Sequence, residues 1–471
     1  MRKPSLSALA VVLIPLLGSS PRAQCFVQEV WSVDGGTLEE FDEFGSGVAV
    51  EGDWALVAAH FDGQGVDEAG YGSVFAFERV AGQWIERDRL TSDAPSLNEF
   101  FGASLALSGS TALISGDQAV YFFERTGTNW SLVQKVDFAG FRGLALRGEL
   151  AVLSGFEEVS VWRRDSSGWA KSGVLVPAGA AAFSFTGPVA TDGRQVFVAE
   201  TRARDLSPKS GVVYVFAEQS GAWREVQRLT ASDAGPTDQF GRGLDVADGQ
   251  LLAVSFQGEA GAGYVFQRAA GHWFEEAKLV PDVETTSPFY VWSSVALRGD
   301  LALVGSTGLG PGGRVHTFQR TDSGWVETAP IDAPDAMSHD QFGSSVDLAA
   351  DGTALVGATY GEGPLVLSTG SAYFFDTGTG APLFGCPPRV SLSAGGSQSL
   401  ALVAGPAHAG EWHLLLGSAS GTTPGIALPG GLALPLVADG YFAATLLAPD
   451  DGLLHGALGA LDGIGHAQAE L

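Results

Sequence analysis

Eight histidines, two cysteines and a surplus of carboxylates are the side chains in this sequence that could do chemistry. The histidines (His60, His272, His316, His339, His408, His413, His455 and His466) are scattered. Only Glu411 and His413 stand at a spacing that suggests a shared metal, and a zinc site needs three or four such ligands. No GxSxG elbow, HExxH helix, P-loop or dinucleotide glycine fingerprint is present. No residue is assigned a catalytic or metal-binding role, and the chain is read as not an enzyme. The acids Asp62, Asp67 and Glu68, in the irregular insert FDGQGVDEAG, are the ligand-binding candidates. They are singled out because binding groups concentrate on variable loops held by a rigid scaffold.

Charge narrows the choice of partner. There are 53 acids against 26 bases, a formal charge of −27. A surface of that sign repels nucleic acid and anionic membrane. It also keeps a protein soluble and monomeric, so a monomer is expected. Arg2 and Lys3, the apolar run Leu6 to Leu17 and the small residues after it read as a secretory signal, with cleavage after Ala23. No later segment reaches the roughly 18 apolar residues that a membrane span needs. The expected location is outside the cell, secreted or surface-exposed.

The scaffold comes from repetition. A first strand recurs as FGSGVAV from Phe44, FGASLAL from Phe101, FRGLAL from Phe141, FTGPVAT from Phe185, FGRGLDV from Phe240, VWSSVAL from Val291 and FGSSVDL from Phe342. Each is followed by a polar turn such as Gly52-Asp53 or Asp351-Gly352, suited to a two-residue hairpin. A nearly continuous apolar run follows, as in ALVGA from Ala354, which suits a strand buried on both faces. A third strand alternates aromatics, and a fourth opens on Trp84, Trp130, Trp169, Trp223, Trp273 or Trp325. Four strands per unit and seven units predict an all-β fold, a seven-bladed propeller.

The seventh unit lacks its Trp strand. The segment CFVQEVWSVDGG from Cys25 is similar to WREVQRLTASDAG from Trp223, so residues 25–33 are expected to complete the blade of residues 342–376. That closure removes an open edge. It also brings Cys25 to Cys386, and two cysteines in a secreted chain are expected to pair as a disulfide.

The Phe-Gly opening, the Ala-Leu-Val-Gly-Ala second strand and the Gly-x-Tyr-Val-Phe third strand resemble FG-GAP repeats, as in integrin α-subunit propellers and their bacterial relatives. The resemblance covers about residues 25–386. It implies a seven-bladed propeller and a role in extracellular binding or adhesion. Calcium-binding members carry an Asp-rich loop between the first two strands, whereas here those turns are of the kind Glu51-Gly52-Asp53. Calcium needs about six to eight oxygens, so no calcium site and no other cofactor is carried over to any residue. The turns before Trp169 and Trp325 resemble the Asp box of sialidase propellers, with the wrong separation of Gly and aromatic.

Three segments result: a signal peptide, 1–23; the propeller, 24–386; and a C-terminal β-sandwich-like domain, 387–471, where charge falls and Leu, Ala and Gly rise. The second-to-third and fourth-to-first connections vary in length and share one face. That face is expected to bind an extracellular protein or a glycan. Two alternatives remain open, a propeller enzyme acting on extracellular glycans and a structural surface or matrix component. The acids that recur in the fourth-to-first connections, such as Asp233, Asp238, Asp335 and Asp340, are read as turn formers.

Overall fold

The computed structural model describes residues 42–377 except 64–69, 81–82, 96–98, 139, 141, 179–186, 204–208, 257–260, 282–291, 308–311, 334–339 and 361–369, together with seven short strands outside that range. The described residues form strands and turns only, and no helix among them is long and apolar enough to cross a membrane.

Six sheets have four strands each, paired in chain order. Blade 1 is Phe44–Glu51, Trp54–Ala59, Ser73–Val80 and Gln83–Leu90. Blade 2 is Leu105–Ser108, Thr111–Ser115, Ala119–Thr126 and Asn129–Asp137. Blade 3 is Gly143–Arg147, Leu150–Ser154, Val159–Asp165 and Gly168–Leu175. Blade 4 is Val189–Thr191, Gln195–Glu200, Val212–Gln219 and Ala222–Leu229. Blade 5 is Leu244–Ala247, Gln250–Ser255, Ala262–Ala269 and His272–Leu279. Blade 6 is Trp292–Arg298, Leu301–Ser306, Arg314–Thr321 and Gly324–Glu327. Blade 7 has three described strands, Phe342–Leu348, Thr353–Ala358 and Ser371–Asp376. The first strands pack against one another in sequence, and that of blade 7 packs against that of blade 1. The ring is closed, and the fold is a seven-bladed propeller. The segment 25–33 and both cysteines lie outside the described residues.

Two compact units divide the chain. Residues 31–78 and 86–373 hold the inner strands of all seven blades. The other unit is residues 1–30, 79–85 and 374–471. In it Ala10–Leu13, inside the expected signal segment, pairs antiparallel with Trp412–Ser418, and Ser399–Val403 pairs with His466–Glu470.

Burial follows strand position. Second strands are buried at every residue in blades 1, 2, 3, 5 and 7, as apolar runs sandwiched between neighbouring sheets must be. Fourth strands alternate, with Trp130, Trp169 and Trp273 inward and polar groups outward. Between third and fourth strands the register slips once at the same place in blades 2 to 5, a bulge that adds twist to the outer edge.

The Phe-Gly motif joins neighbouring blades at three described positions. The amide N–H of Phe101, Phe240 and Phe342 donates to the carbonyl of Tyr71, Ser210 and Gly312 in the preceding blade, at 3.1, 2.8 and 2.7 Å. The next residues, Gly72, Gly211 and Gly313, have φ of +81°, +86° and +101°, and a Cβ on any of them would overlap the Phe carbonyl. Only glycine meets both conditions. A second joint lies at the outer strand. The side-chain amide of Gln227 accepts from Trp273 N–H at 2.9 Å and donates to the Trp273 carbonyl at 2.7 Å. Gln134 does the same for Trp169, and Asp88 accepts from Trp130 N–H at 3.1 Å.

Candidate functional site

The two ends of the ring differ in how their polar groups are used. At the short-turn end, carboxylates tie neighbouring blades. Asp347 accepts from Val50 N–H at 2.7 Å, across the closure from blade 7 to blade 1. Asp245, at the same register of blade 5, accepts from Leu297 N–H at 2.7 Å and from the Arg298 guanidinium at 3.0 Å. Burial pushes the Asp347 carboxyl above the usual range, against the pull of Arg298. Glu51, Ser108 and Asp248 each accept from the turn glycine of the following blade, Gly109, Gly148 and Gly299. The carboxylates at this end are engaged by neighbouring amides and guanidinium groups. Among the described residues no group of three or more His, Cys, Asp or Glu is placed to hold a metal.

The loop end is built on the residues before Phe-Gly. Asp42, Glu99, Asp238 and Asp340 are buried, and their carbonyls accept from the N–H of Phe61, Asp117, Phe256 and Tyr360 at 3.3, 2.6, 2.7 and 3.1 Å. The residue between, Glu43, Phe100, Gln239 or Gln341, has φ of +55°, +50°, +53° or +57°. A left-handed turn at such side chains costs about 1–2 kcal/mol each, and among the described residues it recurs before the first strands of blades 1, 2, 5 and 7.

Aromatic side chains gather at this end. Phe61 is 39% exposed and meets Phe100 edge-on at 5.2 Å and His60 at 4.4 Å. His60 Nε2 lies 3.4 Å from Glu43, and burial pulls the imidazole down to a pKa of about 4. Burial raises Glu43, which takes a hydrogen bond from Tyr360. Phe156 is 53% exposed beneath Arg142, and Phe256 lies beneath Arg242.

The sequence candidates divide. Asp62 is buried and receives the guanidinium of Arg89, whose Nε donates to Ser73 at 3.1 Å. Asp67 and Glu68 lie outside the described residues. The recurring acids hold the blades' own aromatic edges. Asp233 accepts from the Tyr264 hydroxyl and from Lys278, each at 2.7 Å. Glu99 accepts from Ser92 at 2.8 Å and from the Tyr121 hydroxyl, and Lys135 pairs with Asp93 at 2.9 Å. Burial, and then Glu99, pushes the Tyr121 phenol up to about 12. Sequence reasoning missed Phe61, Phe100, Phe156 and Phe256. The available signal was that Phe156 and Phe256 stand within two residues of the ends of second strands, at positions where the chain has no reason to bury a phenyl ring.

Comparison with known proteins fits this geometry. A family model described as FG-GAP repeat matches residues 223–266 and 325–375. The chain carries FG-GAP repeats. Each match runs from a Trp strand through the third strand of the following blade, so it contains a whole loop-end connection. No curated protein matches the sequence. Among solved structures, a "putative 6-phosphogluconolactonase" from Bacteroides uniformis has a TM-score of 0.44 and 11% identity, over 62% of this chain and 86% of that one. A second, from Bacteroides fragilis, has a TM-score of 0.44 and 10% identity, over 72% and 98%. A chain of a mitotic checkpoint complex has a TM-score of 0.43 and 12% identity, over 76% and 92%. Likeness at this level says nothing of activity.

Proposed function

We propose that the protein is a non-enzymatic binding module, exported by its N-terminal segment, that meets its partner with the loop end of the propeller. One observation carries the reading. The loop end gathers Phe61, Phe100, Phe156 and Phe256, two of them among the large apolar residues left exposed, whereas the short-turn end uses its polar groups to join blades. Exposed aromatic groups on a rigid frame are what binding surfaces are made of. The test is a glycan and extracellular-protein array probed with the full chain, with calcium and with EDTA. Wild type binds at least one class of target in both buffers, and the F61A/F100A variant loses at least ten-fold in affinity. Binding that survives F61A/F100A and also survives loss of Phe156 sinks the reading.

A second reading, an enzyme cleaving extracellular glycans, has Glu43 in its favour. Its raised pKa suits a proton donor, and Tyr360 and His60 flank it. Release of reducing sugar from any arrayed glycan, abolished by E43Q, would establish it.

Among the described residues six blades have four strands and blade 7 has three. We propose that residues 25–33, outside the described residues, supply the fourth and that Cys25 bonds Cys386.

A further inference from the structure

Arg142 and Arg242 occupy the same register in their repeats, two residues before the first-strand leucines Leu144 and Leu244. Both therefore stand at the loop end of an innermost strand, two blades apart. Each lies on an aromatic ring: Arg142 Cζ is 4.0 Å from the centre of Phe156, and Arg242 Cζ is 3.8 Å from that of Phe256. Neither guanidinium has a carboxylate in ion-pair contact among the described residues, whereas Arg89, Arg163, Arg164, Arg228, Arg314 and Arg320 all do. In a chain with 53 acids against 26 bases, two cations at one end of the ring thus have no acid in contact among the described residues.

The surroundings are shaped to hold them. Gly140, at φ +67°, runs so close to Phe156 that a Cβ would overlap the ring. Arg242 Nη1 donates to Gln239 Oε1 at 3.2 Å, while its buried Nε has no acceptor. Burial lowers the Arg242 pKa with no acid to offset it, unlike Arg298, which Asp245 and Asp347 raise. A guanidinium whose face rests on a ring keeps its remaining N–H groups for an anion, which for Arg242 means Nη2 first. The chain's net negative charge opposes a polyanion, an opposition that salt screens beyond about 8 Å at physiological ionic strength and that the two arginines must locally outweigh.

We propose that the loop ends of blades 3 and 5 bind a carboxylate-bearing polysaccharide, a polyuronate, with Arg142 and Arg242 each taking a carboxylate beside Phe156 and Phe256. The inference rests on the loop end being the binding face. A hexuronate carries its carboxylate on a ring with an apolar C–H surface, so one rigid unit meets both the cation and the phenyl beside it. An acidic peptide brings the anion without that surface. Two equivalent sites also suit a polymer that repeats its charge, because the second contact forms at high effective concentration.

The test is native affinity electrophoresis of the full chain through gels containing polygalacturonate, alginate, neutral dextran or poly-glutamate. Wild type is retarded by a uronate polymer, not by dextran, and less by poly-glutamate. R142A/R242A loses at least ten-fold in affinity while still unfolding in one cooperative transition well above the assay temperature, because neither residue pairs with an acid among the described residues. R142K/R242K keeps the charge yet loses several-fold, since lysine grips a carboxylate through one point only. Three results overturn the proposal: no retardation by either uronate, retention by R142A/R242A equal to wild type, or poly-glutamate held as well as the uronates. Array binding that depends on Phe61 and Phe100, with no uronate retardation, removes this inference and leaves the loop-end reading standing.

Discussion

His60 shows how one residue at the loop end couples stability to pH. Its folded pKa of about 4 lies below the unfolded value of 6.5, so the folded state binds fewer protons between those limits. Stability from neutral His60 is fully present above pH 6.5 and is lost as pH falls toward 4. The side chain is only 20% exposed, and the full effect is about 3 kcal/mol at most. Glu43 beside it, raised by burial, works in the opposite sense, since its protonation in the fold relieves a cost as pH falls. Thermal melts from pH 7 to 4 should therefore drop less steeply for H60Q than for wild type. Parallel slopes would show that His60 is not the titrating group. None of this was legible in sequence, where His60 looks like any scattered histidine. Its burial depends on Phe61 and on Phe100 from the next repeat.

Strands were the most legible level. The Phe-Gly, apolar, aromatic and Trp runs each mark a strand, and each Trp strand begins one residue before its Trp. What lay hidden was how strands of different blades meet. Gln227 reads as a polar residue on an outward face, yet it clasps the backbone of Trp273, 46 positions away. Q227A should cost about 1–3 kcal/mol in urea unfolding, because it strands a buried amide and carbonyl. A cost below 0.5 kcal/mol would mean water replaces the clasp. The glycines before third strands were visible as a motif, but their reason was not. G211A should lose more than 2 kcal/mol, since its Cβ would overlap the Phe240 carbonyl. G271A, at φ +85° with open space around it, should lose only about 1 kcal/mol. Equal losses would remove the steric explanation. The left-handed residues before Phe-Gly were illegible because Glu43, Phe100 and the two glutamines Gln239 and Gln341 include no glycine or asparagine to mark the turn.

For the whole molecule, repetition alone predicted seven blades, and the first strands pack in a closed ring of seven. The surface proposed to bind was harder to foresee. Of the acids singled out in the irregular insert, Asp62 is held by Arg89 while Asp67 and Glu68 lie outside the described residues, and the exposed rings come from positions that seem ordinary in one repeat. If Cys25 and Cys386 lock the ring, non-reducing mass spectrometry will find them linked, and reduction will lower stability by about 4 kcal/mol in the chain-entropy account. Free thiols at both positions in the exported protein would end that proposal.

The frame of the FG-GAP match has a consequence for how such a molecule grows. A unit from Trp223 to Phe266 begins at the outer edge of one blade and ends on the third strand of the next. When a gene copies such a unit, the joint falls in a two-residue hairpin such as Ala270-Gly271, which tolerates almost any sequence able to turn. Everything inside is copied intact: the Asp-x-Phe-Gly kink and the connection that crosses the loop end. Duplication thus inherits a piece of the surface proposed to bind, already seated between two blades. Later change can work on the rings and cations it displays without disturbing the seam that made the copy.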